Sequence, residues 1–296
     1  MKRIAMTKDL TFSNIVAGFG HLMEWGWTKE QMNTYIHQLL ELGITTMDNA
    51  DSYGRYTAEE FFGQALKMEP GLRDQLELVS KVGIVYPDDN VRVKYYDYTT
   101  EHIIDHAQRS LEYYGTDHLD LLLLHRPSMI MDPAQIAEAF DKLYQQGKVR
   151  HFGVSNFTVD QTNMLASYCS RPLITNQFEF SVMDMEHIDS GVLDQCMEYR
   201  IHPMYYSPMG AGRLFEDSDT ARRAREMLET VREEIGASDF STVIYSWLLK
   251  HPAQGLPICG SGKIERMKAA VEALEKPLTL EQWFMIWTAV KGHKVP

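Results

Sequence analysis

The 296-residue sequence is poor in cysteine, with only Cys169, Cys196 and Cys259, and it contains no long apolar run. Three scattered cysteines form neither a disulfide framework nor a metal motif, so a reducing cytosol is the simplest expectation. No apolar run approaches the length of a membrane span, and the N-terminus lacks the apolar segment of a signal peptide. These absences predict a soluble, cytoplasmic protein that does not contact a membrane.

Basic residues are also scarce: 29 lysines and arginines face 41 acidic residues, giving a net charge of −12. This balance argues against binding to nucleic acid, although a small local basic patch could still hold a phosphate. No His-x-His pair or carboxylate set suggests a metal site, so no metal is expected. No linker or composition break divides the chain, which predicts one domain over residues 1–296 that is a monomer or a weak homo-oligomer.

Short apolar runs that alternate with helical patterns are what the sequence does contain. The predicted strands are 15–17, 44–47, 76–80, 119–124, 149–154, 173–178, 202–206 and 256–258. The predicted helices are one from Thr28, 58–67, 100–114, 133–146, one from Thr158, 191–199, helices within 219–249, 264–274 and a last one from Thr279. Residues 2–6 and 10–13 read as a β-hairpin lid that precedes the repeat.

Eight strand–helix units in one chain of this length predict a (β/α)8 TIM barrel of parallel strands, with the hairpin lid and an extra C-terminal helix as additions. The alternative is a doubly wound dinucleotide fold, which needs G-x-G-x-x-G at the first turn. That turn reads Gly18-Phe19-Gly20-His21-Leu22-Met23 and lacks the third glycine. The barrel is therefore the better prediction.

Four titratable side chains follow three successive predicted strands, in the contexts MDNADSYG, LVSKVG and LLLLHRP. They are Asp48, Tyr53, Lys81 and His125. In a barrel of this kind the strand ends meet at one face, so we expect the four side chains to converge. Asp48 or Tyr53 alone could be a loop cap or a packing aromatic. Lys81 follows an apolar strand and needs a carboxylate partner, which Asp48 can supply.

Together with GKVRHFGVSNF, these motifs resemble those of the aldo-keto reductase superfamily in order and spacing, and the resemblance is closest to its bacterial YdhF-like branch. The resemblance implies reduction of an aldehyde or ketone to an alcohol with hydride from NADPH. It implies that Tyr53 is the general acid, that Lys81 and Asp48 lower its pKa, and that His125 orients the carbonyl. A small-molecule carbonyl compound is the expected partner.

The cofactor-binding residues implied by this resemblance also follow predicted strands. They are Gly20, His21, Ser155, Asn156, Gln177, Tyr206, Ser207, Pro208, Gly210, Arg213, Ser261, Lys263 and Arg266. Tyr206 would stack on the nicotinamide, and the loop that ends at Arg213 would cover the pyrophosphate.

Ser261, Lys263 and Arg266 crowd the start of a predicted helix, which suits the 2′-phosphate of NADP. The family pattern has lysine where Gly260 stands, and glutamate and asparagine where Ala269 and Ala270 stand. Binding of NADH is therefore also possible.

Trp25, Trp27 and Tyr86 are candidates for the substrate pocket wall, although ordinary loop packing explains each equally well. Arg126 stands where the family often has tryptophan. It could favour an anionic carbonyl compound or simply bond to the barrel rim. Two alternative functions stay open: a lyase that forms a Schiff base through Lys81, and a nicotinamide-binding regulatory or sensor protein.

Overall fold

The computed structural model describes residues 3–296. A short antiparallel hairpin, β1 (Arg3–Ala5) and β2 (Thr11–Ser13), precedes the barrel, and residue 2 of the predicted hairpin lies outside the described residues. The other strands are β3 (Val16–Gly18), β4 (Thr46–Asp48), β5 (Glu77–Val82), β6 (Ile84–Val85), β7 (Tyr95–Tyr96), β8 (Leu119–Leu124), β9 (Val149–Ser155), β10 (Leu173–Glu179), β11 (Met204–Tyr206) and β12 (Leu256–Cys259).

The helices alternate with these strands. They are α1 (Lys29–Glu41), α2 (Ala58–Leu66), α3 (Thr100–Tyr114), α4 (Pro133–Gln145), α5 (Val159–Tyr168), α6 (Glu186–Asp189), α7 (Val192–Tyr199), α8 (Asp219–Ile235), α9 (Phe240–Lys250), α10 (Ile264–Glu272) and α11 (Leu280–Lys291). None of them is long and apolar enough to cross a membrane.

Eight parallel strands close into a barrel in the order β3, β4, β5, β8, β9, β10, β11, β12 and back to β3. The predicted (β/α)8 barrel is thus confirmed. Strands β6 and β7 form a separate hairpin after β5 that the sequence did not predict. Two helices, α8 and α9, stand between β11 and β12, where the sequence predicted helices without fixing their number.

Three helices begin with capping boxes at the threonines from which the sequence predicted helices to start. In each, a threonine side chain accepts from the backbone N–H three residues on, and the glutamine there bonds back to the threonine N–H; the pairs are Thr28–Gln31, Thr158–Gln161 and Thr279–Gln282. Such caps satisfy the free N–H groups of the first turn.

The N-terminal hairpin closes the end of the barrel at which the strands begin. Phe12 is fully buried and packs against interior side chains such as Val79 and Leu121. Arg3 donates hydrogen bonds of 2.6 Å to Thr45, which precedes β4, and to Glu77, which is the first residue of β5. The hairpin therefore covers the end of the barrel at which the strands begin and leaves uncovered the end at which they finish.

Candidate active site

The open end of the barrel brings together the four side chains that the sequence singled out. Asp48 is the last residue of β4, Lys81 is the next-to-last residue of β5, and His125 directly follows β8. Tyr53 lies on the turn after β4, and its backbone N–H donates to the Ala50 carbonyl at 3.2 Å. Neighbouring parallel strands end at the same edge of the barrel, so the fold itself brings these positions together.

Lys81 is the centre of the network that joins these groups. Its Nζ donates to Asp48 Oδ2 at 2.7 Å, to the Asn49 carbonyl at 2.8 Å and to the Tyr53 hydroxyl at 3.2 Å. The second oxygen of Asp48, Oδ1, accepts from Gln177 Nε2 at 2.8 Å. A fully buried ammonium needs such partners, because an unpaired buried charge costs several kcal/mol.

The network sets the protonation states of its members. Burial lowers the pKa of Lys81, but the charge of Asp48 and the hydrogen bonds to Asp48 and Tyr53 outweigh burial and raise it above its usual value, so the lysine is charged. Burial raises the pKa of Tyr53; the Lys81 charge opposes this, and the Asp48 charge adds to it. The expectation that Asp48 lowers the Tyr53 pKa is wrong, because a carboxylate disfavours a nearby phenolate. What Asp48 does is keep Lys81 charged and in place.

His125 completes the group and is a neutral ring. Burial lowers its pKa well below the usual value, and the charges of Lys81 and Arg126 lower it further. The His125 ring lies edge-on to the Tyr53 ring, with 5.6 Å between centroids. A neutral imidazole carries one N–H, so it can donate a single hydrogen bond to a substrate oxygen.

Above these groups lies a cavity of about 910 Å³. The predicted residues that line it are Gly20, His21, Asp48, Tyr53, His125, Arg126, Ser155, Asn156, Gln177, Tyr206, Ser207, Pro208, Ser261 and Arg266. Lys81 does not line the cavity, because it lies fully buried behind Tyr53. The volume is at the upper end of the range for ligand sites.

One wall of the cavity is a chain of amide and hydroxyl groups. Ser155 Oγ donates to the Gln177 carbonyl at 2.8 Å, and Asn156 Nδ2 donates to Ser155 Oγ at 2.7 Å. The Tyr206 hydroxyl donates to Asn156 Oδ1 at 2.7 Å. Asn156 and Ser207 adopt left-handed backbone conformations, with φ of 63° and 50°. Strained non-glycine residues of this kind cluster at ligand sites.

At the other end of the cavity lie Ser261, Glu265 and Arg266, where helix α10 begins. The Arg266 guanidinium makes no ion pair with any residue in 3–296. Tyr35 supports this end from behind by donating a hydrogen bond to the Ser261 carbonyl. An exposed, unpaired arginine beside a helix N-terminus suits an anionic group.

Three predicted cofactor ligands are not among the lining residues of the cavity. Arg213 forms ion pairs with Glu179 and Asp184, so its charge is already partnered. Gly210 is buried, with a φ of 70°, and shapes the turn beneath the loop. Lys263 is exposed and serves as the N-cap residue of α10.

The three aromatic candidates for the substrate wall also lie away from the cavity lining. Trp25 and Trp27 pack against each other at 4.7 Å and against Tyr35. A Cβ added at Gly262 would come within 2.9 Å of both tryptophans, so they support the loop beside Ser261 from outside. Tyr86 packs on Tyr56 instead. All three rings therefore pack on neighbouring aromatic side chains and do not line this cavity.

Several lining residues were not predicted from the sequence. Ser238, Asp239, Phe240 and Ser241, at the start of α9, line the cavity together with Phe215, Tyr245 and Cys259. Asp239 caps α9 by accepting from the Ser241 N–H at 2.7 Å. An aspartate at this position indicates a helix start in the sequence alone. Nothing in the sequence indicates that this helix N-terminus faces the open end of the barrel.

The fold and this site define a closed parallel barrel with a buried cluster of titratable side chains beneath one large cleft. Residues 14–290 match the Aldo/keto reductase family, and the chain belongs to that family. It is therefore an oxidoreductase of the aldo-keto reductase type.

Two relatives and one solved structure illustrate the match. The oxidoreductase YdhF of Escherichia coli (strain K12) is 47% identical over 287 residues, which cover 96% of each chain. A 6-dehydroglucose reductase of Agrobacterium fabrum is 40% identical over 299 residues, covering 100% of each. The glycerol dehydrogenase AKR11B4 of Gluconobacter oxydans superposes with a TM-score of 0.83 at 22% identity, covering 98% of this chain and 95% of that one. The chain falls in the YdhF-like branch.

Proposed function

We propose that this protein reduces an aldehyde or ketone to an alcohol with NADPH, and that Tyr53 donates the proton. One observation carries the proposal: Lys81 Nζ reaches both Asp48 and the Tyr53 hydroxyl, at 2.7 and 3.2 Å, at the base of a cavity of about 910 Å³. A buried phenol beside a lysine that is held charged is suited to give up its proton.

In the proposed reaction the carbonyl carbon receives a hydride while its oxygen receives a proton. Tyr53 supplies the proton, and the charge of Lys81 stabilises the phenolate that remains. His125 donates a hydrogen bond to the same carbonyl oxygen and so orients it. Asp48 keeps Lys81 charged, and Gln177 holds the other oxygen of Asp48.

NADPH would supply the hydride, because no side chain can do so. The residues present fit such a group. Ser155, Asn156 and Gln177 offer amide and hydroxyl groups near Tyr53, and a cleft runs from them to Arg266. Gly212 has a φ of 90° and open space beside its Cα, so the backbone there permits close approach by a phosphate. Arg266 would bind the 2′-phosphate, and NADH would bind more weakly.

For the substrate we propose a carbonyl compound with several hydroxyl groups or an anionic group. Arg126 lines the cavity beside His125, and its guanidinium forms no salt bridge within residues 3–296. Arg126 can therefore donate to hydroxyl or carboxylate oxygens. Relatives named 6-dehydroglucose reductase, at 40% and 33% identity, make an oxidised sugar the first compound to assay.

The Schiff-base alternative is disfavoured by the surroundings of Lys81. A lysine must be neutral to attack a carbonyl, whereas here its Nζ donates three hydrogen bonds and its pKa is raised. No observation specifically favours a purely regulatory role.

The test is carbonyl-dependent oxidation of NADPH, followed by absorbance at 340 nm, across sugar aldehydes, 2-oxo acids and simple ketones. Turnover of at least one class is expected, and Tyr53→Phe should abolish most of it. Borohydride trapping of a substrate–lysine adduct, together with no NADPH oxidation, would replace the proposal with the lyase.

A further inference from the structure

Ser52 is a buried polar residue beside the catalytic candidates that none of the assigned roles uses. It precedes Tyr53 on the turn after β4 and is 1% exposed. Its Oγ lies 3.2 Å from Nδ1 of His125. The other ring nitrogen of His125, Nε2, makes no hydrogen bond to any described residue, and the ring lines the cavity. The ring is thus held by a protein group on its Nδ1 side alone.

The direction of this hydrogen bond decides which nitrogen of His125 carries the hydrogen. A neutral imidazole has one donor and one acceptor nitrogen, and the partner of one nitrogen fixes the other. Burial and the neighbouring cations keep His125 neutral. If Ser52 donates to Nδ1, then Nε2 carries the hydrogen and can donate into the cavity. If Nδ1 donates to Ser52, then Nε2 carries no hydrogen and cannot donate a hydrogen bond to a carbonyl oxygen.

The carboxylate of Asp51, the preceding residue, is a competing acceptor for the Ser52 hydroxyl. Burial raises the pKa of Asp51 to about 7, although the charge of Arg109 and the Ser52 backbone N–H oppose that rise. The geometry, however, gives no hydrogen bond between the Asp51 carboxylate and the Ser52 hydroxyl: Asp51 Oδ1 lacks a partner among the described residues, and Oδ2 lies 2.5 Å from His106 Nδ1. His125 Nδ1 is the one hydrogen-bonding partner that Ser52 Oγ has within residues 3–296.

We propose that Ser52 is a positioning residue that donates to His125 Nδ1 and thereby fixes the tautomer in which Nε2–H faces the substrate oxygen. The role of that N–H in catalysis rests on the proposed carbonyl reduction. The tautomer itself is a property of the free protein and does not depend on that reaction.

The test is ring nitrogen NMR of protein labelled with ¹⁵N-histidine, at neutral pH. Long-range ¹H–¹⁵N correlations distinguish the two tautomers, and the His125→Asn spectrum identifies the His125 signals among the 11 histidines. The variants are Ser52→Ala, which removes the donor, and Ser52→Thr, which keeps it. Ser128→Ala is the matched control, because Ser128 is a buried serine three residues after His125 whose Oγ accepts from the Ile130 N–H.

We expect wild-type His125 to be protonated on Nε2, as it should be in Ser52→Thr and Ser128→Ala. In Ser52→Ala the two tautomers should mix, and kcat should fall roughly tenfold or more with little change in KM. An Nδ1–H ring in the wild type, or an unchanged spectrum in Ser52→Ala, would overturn the proposal. The wild-type spectrum decides even if Ser52→Ala does not fold. Absence of any carbonyl turnover alongside the expected spectra would refute the proposed function and leave the tautomer assignment standing.

Discussion

The two ends of the cavity are built in contrasting ways. At the Tyr53 end the Lys81 ammonium has three protein partners, and both oxygens of Asp48 accept hydrogen bonds. At the Arg266 end the guanidinium is exposed and forms no ion pair among residues 3–296. The first end is organised before any ligand arrives, whereas under the proposed function the second gains its partner from the bound cofactor. Changes at the first end should therefore alter rate, and changes at the second should alter affinity.

The largest effect should come from Tyr53→Phe, which removes the proposed proton donor and leaves the ring. Reduction should slow by about 10²- to 10⁴-fold, the range expected for general acid catalysis. The dissociation constant of NADPH should stay nearly unchanged, because the ring still lines the cavity. Rates from absorbance at 340 nm and affinities from fluorescence on the same sample check this, and near-wild-type turnover would remove Tyr53 from its role.

Lys81→Met should lower both rate and stability. Because the Lys81 charge lowers the pKa of Tyr53, its loss should raise that pKa further. The reverse reaction, oxidation of an alcohol, needs Tyr53 as the phenolate. The pH at which the rate of this oxidation rises should therefore move upwards. Loss of one partner from a buried ion pair should cost about 3–5 kcal/mol in the free energy of unfolding.

The double variant Lys81→Met with Asp48→Asn separates these two effects. It removes the unpaired carboxylate, so stability should recover while the rate stays low. Denaturant unfolding and pH–rate profiles measure the two quantities. An unchanged pH profile in Lys81→Met would contradict the coupling between Lys81 and Tyr53.

At the other end, Arg266→Ala should weaken binding of NADPH by about 10- to 100-fold, the value of one charge-assisted hydrogen-bonding partner, and barely change NADH. Lys263→Ala is the matched control, because Lys263 is a neighbouring exposed cation that does not line the cavity. Equal losses for both cofactors would show that Arg266 does not bind the 2′-phosphate.

The smallest effect is expected for Glu265→Gln. Glu265 lines the same end as Arg266 and would repel a phosphate. Its neutralisation should tighten NADPH by about threefold at low salt, as for exposed charge pairs, and the gain should fade at high salt. An equal gain in affinity for NADH would show that Glu265 does not act on the 2′-phosphate.

The two ends of the cavity also differ in how well their residues could be predicted from the sequence. Asp48, Lys81 and His125 each follow a clear apolar strand, so barrel geometry alone predicts that they meet. The placement of Trp25, Tyr86 and Arg213 depends on how loop side chains turn, and local sequence does not determine that. The cavity residues around Asp239 belong to the second helix after β11, whose position is set by packing on the rest of the barrel.

The most direct test of this account is a titration of the wild-type protein with NADPH and with NADH, followed by quenching of intrinsic tryptophan and tyrosine fluorescence. Both cofactors should bind saturably, with NADPH clearly tighter. If neither cofactor bound, the protein would lack a hydride source, and the Tyr53 network could not serve carbonyl reduction.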